Sequence, residues 1–388
     1  MTSELTSFAA RLCDFIATAI SSPPGRSQRE AHSETISQWS RRTSVATEER
    51  FSSLALELFA LQFTHNSAYR RICEARGVMP KTVEHWSRIP AVPPAAFKEL
   101  ELTCIPPEER TTIFHSSGTT GQRPSRHFHC GESLALYEAS LWPWFERHVL
   151  ADLGGNRWQL AILTPPPVAA PNSSLVHMFK TIRRKSGASD AGYLGGVTPD
   201  GAWTLDMAGV ESAIRNSIEA GQPIVILGTA FNFVHLLDNL AARELRFELP
   251  PGSRVMETGG YKGRSRELSK PELHALITKR LGVPRPHILC EYGMSELSSQ
   301  AYDGGESRVF HFPPWCRVQV ISPETGREVA DGAAGMLRIF DLANAFSVQA
   351  VQTEDLAVRC GNGFELIGRV VAAEPRGCSL MPEDARNL

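Results

Sequence analysis

Six consecutive residues, Ser116, Ser117, Gly118, Thr119, Thr120 and Gly121, are all hydroxyl residues or glycine. An apolar, strand-like stretch over residues 111–114 leads into them, and Gln122, Arg123 and Pro124 follow. Few chains can use such a segment as core. Glycine admits close backbone approach to a ligand, and the hydroxyls and successive backbone N–H groups suit an anion nest. With Arg123 and Arg126 just downstream, the segment reads as a polyphosphate cradle rather than a flexible Ser/Gly linker. It is not the G-x-x-x-x-G-K-[ST] nucleotide loop, because no Lys-Ser/Thr pair follows Gly121.

Continuous apolar runs point to an α/β fold. Residues 158–164, 223–228, 254–257 and 287–291 are short, apolar and bounded by Pro or Gly, as parallel strands covered on both faces are. The second run leads into a helical pattern holding Val234, Leu236, Leu237 and Leu240. Phe231 and Phe233 at its start are candidates for lining a ligand pocket or for core. Ligands bind at the carboxyl ends of such strands. There the chain carries Thr258-Gly259-Gly260-Tyr261-Lys262 and Tyr292-Gly293-Met294-Ser295-Glu296. Two glycines allow a flat ring or a phosphate to come close. Tyr292 can stack on a base, Ser295 can donate to a phosphate and Glu296 can hold a magnesium ion. Lys262 can meet phosphate charge or form a solvated basic turn.

Residues 1–100 read as mainly helical, with amphipathic patterns over 5–20 and 50–66 and a Ser/Arg/Pro-rich exposed stretch between them. Residues 132–149 read as a helix that Pro143 kinks or splits in two. Three prolines at 165–167 and Ser173-Ser174 then predict a rigid turn and a helix start. Strands at 318–321 and 335–340 predict a smaller β-rich region, containing Thr353-Glu354-Asp355 and Gly368-Arg369.

These motifs, in this order, resemble the adenylate-forming enzymes, which activate a carboxylic acid with ATP as an acyl-adenylate. His115 before the loop, Gln122 after it, and the Pro-Asn-Ser-Ser-Leu-Val-His-Met stretch at 171–178 are similar to one branch, the LuxE-type acyl-protein synthetases. The resemblance implies ATP phosphates on residues 116–121, adenine between Gly259-Gly260 and Tyr292-Gly293, and Mg²⁺ on Glu296. It implies ribose hydroxyls on Asp355 and Arg369, and Lys262 among the catalytic groups. The tail Arg376-Gly377-Cys378-Ser379-Leu380 resembles that branch's Arg-Gly-Cys-Ser-Leu, whose cysteine accepts the acyl group. A thiolate is the nucleophile that displaces AMP from an acyl-adenylate. The substrate so implied is a fatty acid, and the next acceptor an acyl-CoA-reductase-like protein. Only 19 residues follow Arg369, and Lys279 is the last lysine. The wider superfamily carries a mobile C-terminal domain with an adenylation lysine there, so the resemblance implies a chain without it. The alternatives are a stand-alone CoA or amide ligase, and a non-catalytic nucleotide- or acyl-binding protein.

The expected organisation is a helical part at 1–100, a nucleotide- and acyl-binding α/β core at 101–310, a β-rich subdomain at 311–370 and a cysteine-bearing tail at 371–388. A net charge of −2, from 40 basic and 42 acidic residues, gives no support for a nucleic-acid partner. No apolar run reaches the ~18 residues that a membrane span needs. Eight cysteines without a C-x-x-C pair argue against a disulfide framework or zinc site and for a reducing cytoplasm.

Overall fold

The computed structural model describes residues 3–21, 45–116, 123–153, 157–259 and 267–369. Most of the Ser/Arg/Pro-rich stretch therefore lies outside the described residues.

Among the described residues, fifteen strands run in chain order. They are β1 (Thr112–His115), β2 (Arg126–His129), β3 (Gln159–Ile162), β4 (Ser189–Tyr193), β5 (Gly195–Val197), β6 (Trp203–Leu205), β7 (Ile224–Thr229) and β8 (Arg254–Thr258). Then follow β9 (Ile288–Tyr292), β10 (Ala301–Gly304), β11 (Ser307–His311), β12 (Cys316–Ile321), β13 (Ala334–Asp341), β14 (Ala350–Cys360) and β15 (Gly363–Arg369). Eleven of them form one sheet, ordered β12-β13-β14-β15-β11-β10-β9-β8-β7-β3-β4. From β4 to β9 neighbouring strands are parallel. From β9 to β12 they are antiparallel. The apolar runs read from sequence form the parallel half, and the β-rich segment continues the same sheet.

Side-chain parity explains why both faces of the parallel half are apolar. Successive residues of a strand point to opposite sides. Leu160, Ile162, Val225, Leu227 and Met256 enter one buried cluster, with Tyr137, Phe145, Met178 and Phe179. Ala161, Leu163, Ile224, Ile226, Val255 and Ile288 enter the other, with Ile214, Phe233, Leu236 and Ile277. The first cluster is covered by helices Gly131–Val149 and Ser174–Ser186, the second by Met207–Ala220, Ala230–Ala242 and Lys270–Leu281.

The helices begin where capping chemistry dictates. Ser173 caps the helix that follows the triple-proline turn, its hydroxyl accepting from Val176 N at 3.3 Å. Thr229 and Asn232 close a reciprocal capping box directly at the end of β7. Gly131–Val149 is one helix through Pro143, not two. The proline removes a single backbone donor, while Leu141, Trp144 and Phe145 bury on either side of it and hold the helix in place. Helix Ser3–Ser21 packs against this helix. Trp315 Nε1 donates to Ser140 Oγ at 2.7 Å and ties the antiparallel half to the same helix. Phe233 is core, whereas Phe231 lies half-exposed against His235, their rings 4.4 Å apart.

Candidate functional site

The register of β7, β8 and β9 sets Thr229 beside Thr258 and Thr258 beside Glu291, so three parallel strands end side by side. Gly259 and Tyr292-Gly293 sit at these ends, where open α/β sheets place their ligands. Gly259 has φ 71°, a conformation that excludes most side chains. Its carbonyl accepts from Lys270 Nζ at 3.4 Å. Lys270 also clasps the Glu257 carboxylate at 2.6 and 2.7 Å, and His274 Nε2 lies 3.0 Å from Glu257 Oε1. Burial alone would push Glu257 up, but Lys270 and His274 outweigh it and hold the carboxyl at about 2.

Tyr292 joins this strand end to the β-rich half. Its hydroxyl donates to Asp355 Oδ2 at 2.7 Å across 63 residues of sequence, and Arg369 Nε donates to Asp355 Oδ1 at 2.8 Å. The Tyr292 ring meets Phe364 edge-on at 5.4 Å and also contacts Phe310 and Phe312. Burial, with Asp355 beside it, keeps the phenol well above its usual range, so it remains a donor. Asp355 is 4% exposed while the Arg369 side chain is 76% exposed, so the three residues link the buried sheet end to solvent.

The anchors of the hydroxyl/glycine loop meet the same place. Ser125 N donates to Ser116 Oγ at 3.0 Å, and Ser116 N to Ser125 O at 3.4 Å, so the loop leaves and re-enters across one short bridge. Ser125 Oγ lies 3.3 Å from Ser295 Oγ, which in turn donates to Glu296 Oε2 at 2.9 Å. Of the residues singled out from sequence, Ser116, Gly259, Tyr292, Gly293, Ser295, Glu296, Asp355 and Arg369 fall among the described residues. Ser117, Gly118, Thr119, Thr120, Gly121, Gly260, Lys262 and Cys378 lie outside them.

Sequence reasoning missed several buried polar residues here. Glu291, one residue before Tyr292, accepts from Thr258 Oγ1, and burial pushes its carboxyl up to about 7. Gly293 packs over it, since a Cβ there would stand 2.4 Å from Glu291 Oε1. His127 Nδ1 donates to Ser295 O at 2.7 Å, and burial lowers that imidazole to about 4. Asn344 Nδ2 donates to Glu296 O at 2.8 Å. The available signals were a glutamate near the end of each of two apolar strands and a His-x-His alternation in β2. Nothing in the sequence pairs Asn344 with Glu296.

Glu296 is 4% exposed, and among the described residues no cationic side chain pairs with it. A buried carboxylate needs a counter-charge, and a hard divalent cation prefers carboxylate oxygen, so its chemistry fits magnesium as one ligand. Among the described residues no group of three or more His, Cys, Asp or Glu is arranged to hold a metal without help from a ligand. No described helix is long and apolar enough to cross a membrane.

Residues 205–385 match the family model described as "Acyl-protein synthetase, LuxE". The chain is 21% identical over 344 residues to the long-chain-fatty-acid–luciferin-component ligase of Vibrio harveyi, covering 86% of this chain and 87% of that one. It is 23% identical over 362 residues to the protein of the same name from Aliivibrio fischeri, covering 84% and 86%. Among solved structures it is similar to 2-hydroxyisobutyryl-CoA ligase in complex with 2-HIB-AMP and CoA. The TM-score is 0.62 at 15% identity, covering 85% of this chain and 69% of that one. A postadenylation-state structure of that ligase gives a TM-score of 0.59, also at 15% identity, covering 84% and 69%. The similarity over residues 205–385 to the LuxE family and the shared fold with 2-hydroxyisobutyryl-CoA ligase agree with the order of the motifs, and the chain has the adenylate-forming ligase fold.

Proposed function

We propose that this chain is an acyl-protein synthetase that activates a fatty acid with ATP and passes the acyl group to its own Cys378. The observation that carries the reading is the Tyr292–Asp355–Arg369 chain at the end of the parallel strands. It joins two motifs far apart in sequence beside Gly259 and the anchors of the hydroxyl/glycine loop. In this reading adenine lies between Gly259-Gly260 and Tyr292-Gly293, and Asp355 accepts from the ribose hydroxyls with Arg369 beside it. An ionised carboxylate has lone pairs for these as well as for its present partners. The phosphates lie on Ser116, Ser117, Gly118, Thr119, Thr120 and Gly121. Lys262 and Ser295 meet phosphate oxygens, and Glu296 holds Mg²⁺, which supplies charge neutralisation when bound.

The chemistry asked of the protein is positioning and charge stabilisation. The carboxylate oxygen of the fatty acid attacks the α-phosphorus, the bond to the β-phosphate bridge oxygen breaks, and pyrophosphate leaves. The Cys378 thiolate then attacks the acyl carbonyl carbon, a C–S bond forms, and AMP departs with the carboxyl-derived oxygen. A protein of the acyl-CoA-reductase type is the onward acceptor in this scheme, and the cytoplasm, where thiols stay reduced, is its compartment. The test is Cys378→Ser. With radioactive fatty acid and ATP the variant forms acyl-AMP and releases pyrophosphate, but holds no hydroxylamine-labile label on the protein. Unchanged thioester labelling of the variant would remove Cys378 from the scheme.

A further inference from the structure

We infer that His127 and Asn344 are positioning residues that hold the Ser295–Glu296 turn from two sides and so fix where Glu296 presents its carboxylate. The assignment rests on the reading that Glu296 meets Mg–ATP. The turn lies outside regular secondary structure, so its carbonyls cannot be satisfied by a strand or helix ladder. His127, on β2 just beyond the hydroxyl/glycine loop, donates from Nδ1 to Ser295 O at 2.7 Å. Asn344, after β13, donates to Glu296 O at 2.8 Å and to Val348 O at 2.7 Å, while its Oδ1 accepts from Ser298 Oγ at 3.0 Å. The two clamps thus hold adjacent carbonyls of the same turn, Ser295 O and Glu296 O. His127 is 3% exposed and Asn344 2%.

Helix Val45–His65 braces the clamp from outside. Gln62 Nε2 donates to Asn344 O at 3.0 Å, and Gln62 Oε1 accepts from Gln349 N at 3.0 Å. The same β2 segment brings Ser125 Oγ against Ser295 Oγ. One rigid unit therefore ties the return from the hydroxyl/glycine loop to the carboxylate that would share a metal with phosphates resting on it. A shift of either clamp moves the carboxylate relative to the loop without touching the Tyr292–Asp355 end.

The geometry specifies a donor at the Nδ1 position of residue 127. An Asn side chain can place its amide N–H there, and a Gln side chain reaches instead toward Nε2. In acid-dependent ATP–pyrophosphate exchange, His127→Asn is expected to keep the wild-type Mg²⁺ midpoint. His127→Gln is expected to need roughly tenfold more Mg²⁺, the scale of one lost buried hydrogen bond. Hydrogen exchange of residues 294–298 in the ligand-free protein should rise in His127→Gln and not in His127→Asn. Equal midpoints in the two variants, whether both normal or both raised, would overturn the assignment. If His127→Gln does not fold, Ser125→Ala decides: a severalfold higher Mg²⁺ midpoint supports the coupled turn, and an unchanged one overturns it. Absence of exchange in the wild-type protein would instead defeat the reading of the site itself.

Discussion

Replacing Glu291 by Gln removes a buried titration while keeping the shape and the acceptor for Thr258 Oγ1. Burial pushes this carboxyl from 4.5 up to about 7. Its folded-state value is raised, so the native protein binds a proton that the unfolded chain gives up from pH 4.5 onward. The stability it contributes is full below pH 4.5 and is lost as the pH rises through 7. At pH 5 the loss is under about 1 kcal/mol, and at pH 8 it reaches about 3 kcal/mol, at ~1.4 kcal/mol per pH unit of separation. Glu291→Gln should therefore gain roughly 2–3 kcal/mol on wild type between pH 5 and pH 8. The assay is urea unfolding of both proteins at pH 5, 6.5 and 8. Only the difference between them is read, because other titrating groups cancel. One of these is Asp303, which burial also pushes up to about 7. The buried histidines of lowered basicity, such as His127 and His148, cancel too. A difference independent of pH would refute the claim that Glu291 is buried without an adequate counter-charge.

Three further outcomes follow from the same site. Gly293→Ala forces a Cβ to 2.4 Å from the hydrogen-bonded Glu291 carboxylate, so it should cost about 1–3 kcal/mol of stability and weaken ATP binding, checked by denaturation and by nucleotide titration. Glu257→Gln leaves Lys270 and His274 without their shared carboxylate and should cost about 3 kcal/mol at pH 7. That cost should shrink as the pH falls toward 2, where the wild-type carboxyl protonates. Asp355→Ala removes the acceptor for Tyr292 and Arg369 and should raise KM for ATP at least tenfold, with a smaller effect on KM for the acid, read by pyrophosphate release.

The parallel half of the sheet was legible because its strands are continuous apolar runs with Gly or Pro at their ends, and burial on both faces leaves that imprint. Gly259 and Tyr292 were readable as one place, since parallel strands put their carboxyl ends together, whereas Asp355, on antiparallel β14, was joined to them only by the resemblance. What stayed hidden was the polar interior. Glu257 and Glu291 sit in strands whose neighbours are apolar, and their partners Lys270 and Thr258 become partners only through helix packing and strand register. Asn344 lies 48 residues from Glu296, and helix Val45–His65, nearly 300 residues away, fixes its loop through Gln62. Propensity carries no trace of such long-range satisfaction of backbone groups. Pro143 illustrates the converse: local chemistry allowed a kink or a split into two helices, and the helix runs on as one element with buried residues packed on both sides of the proline.

The most direct measurement is ATP–pyrophosphate exchange by the purified chain, with and without added long-chain fatty acids. The account predicts exchange that needs both a fatty acid and Mg²⁺ and is lost in Glu296→Ala. Exchange without any acid, or none with any carboxylic acid tried while ATP still binds, would contradict it.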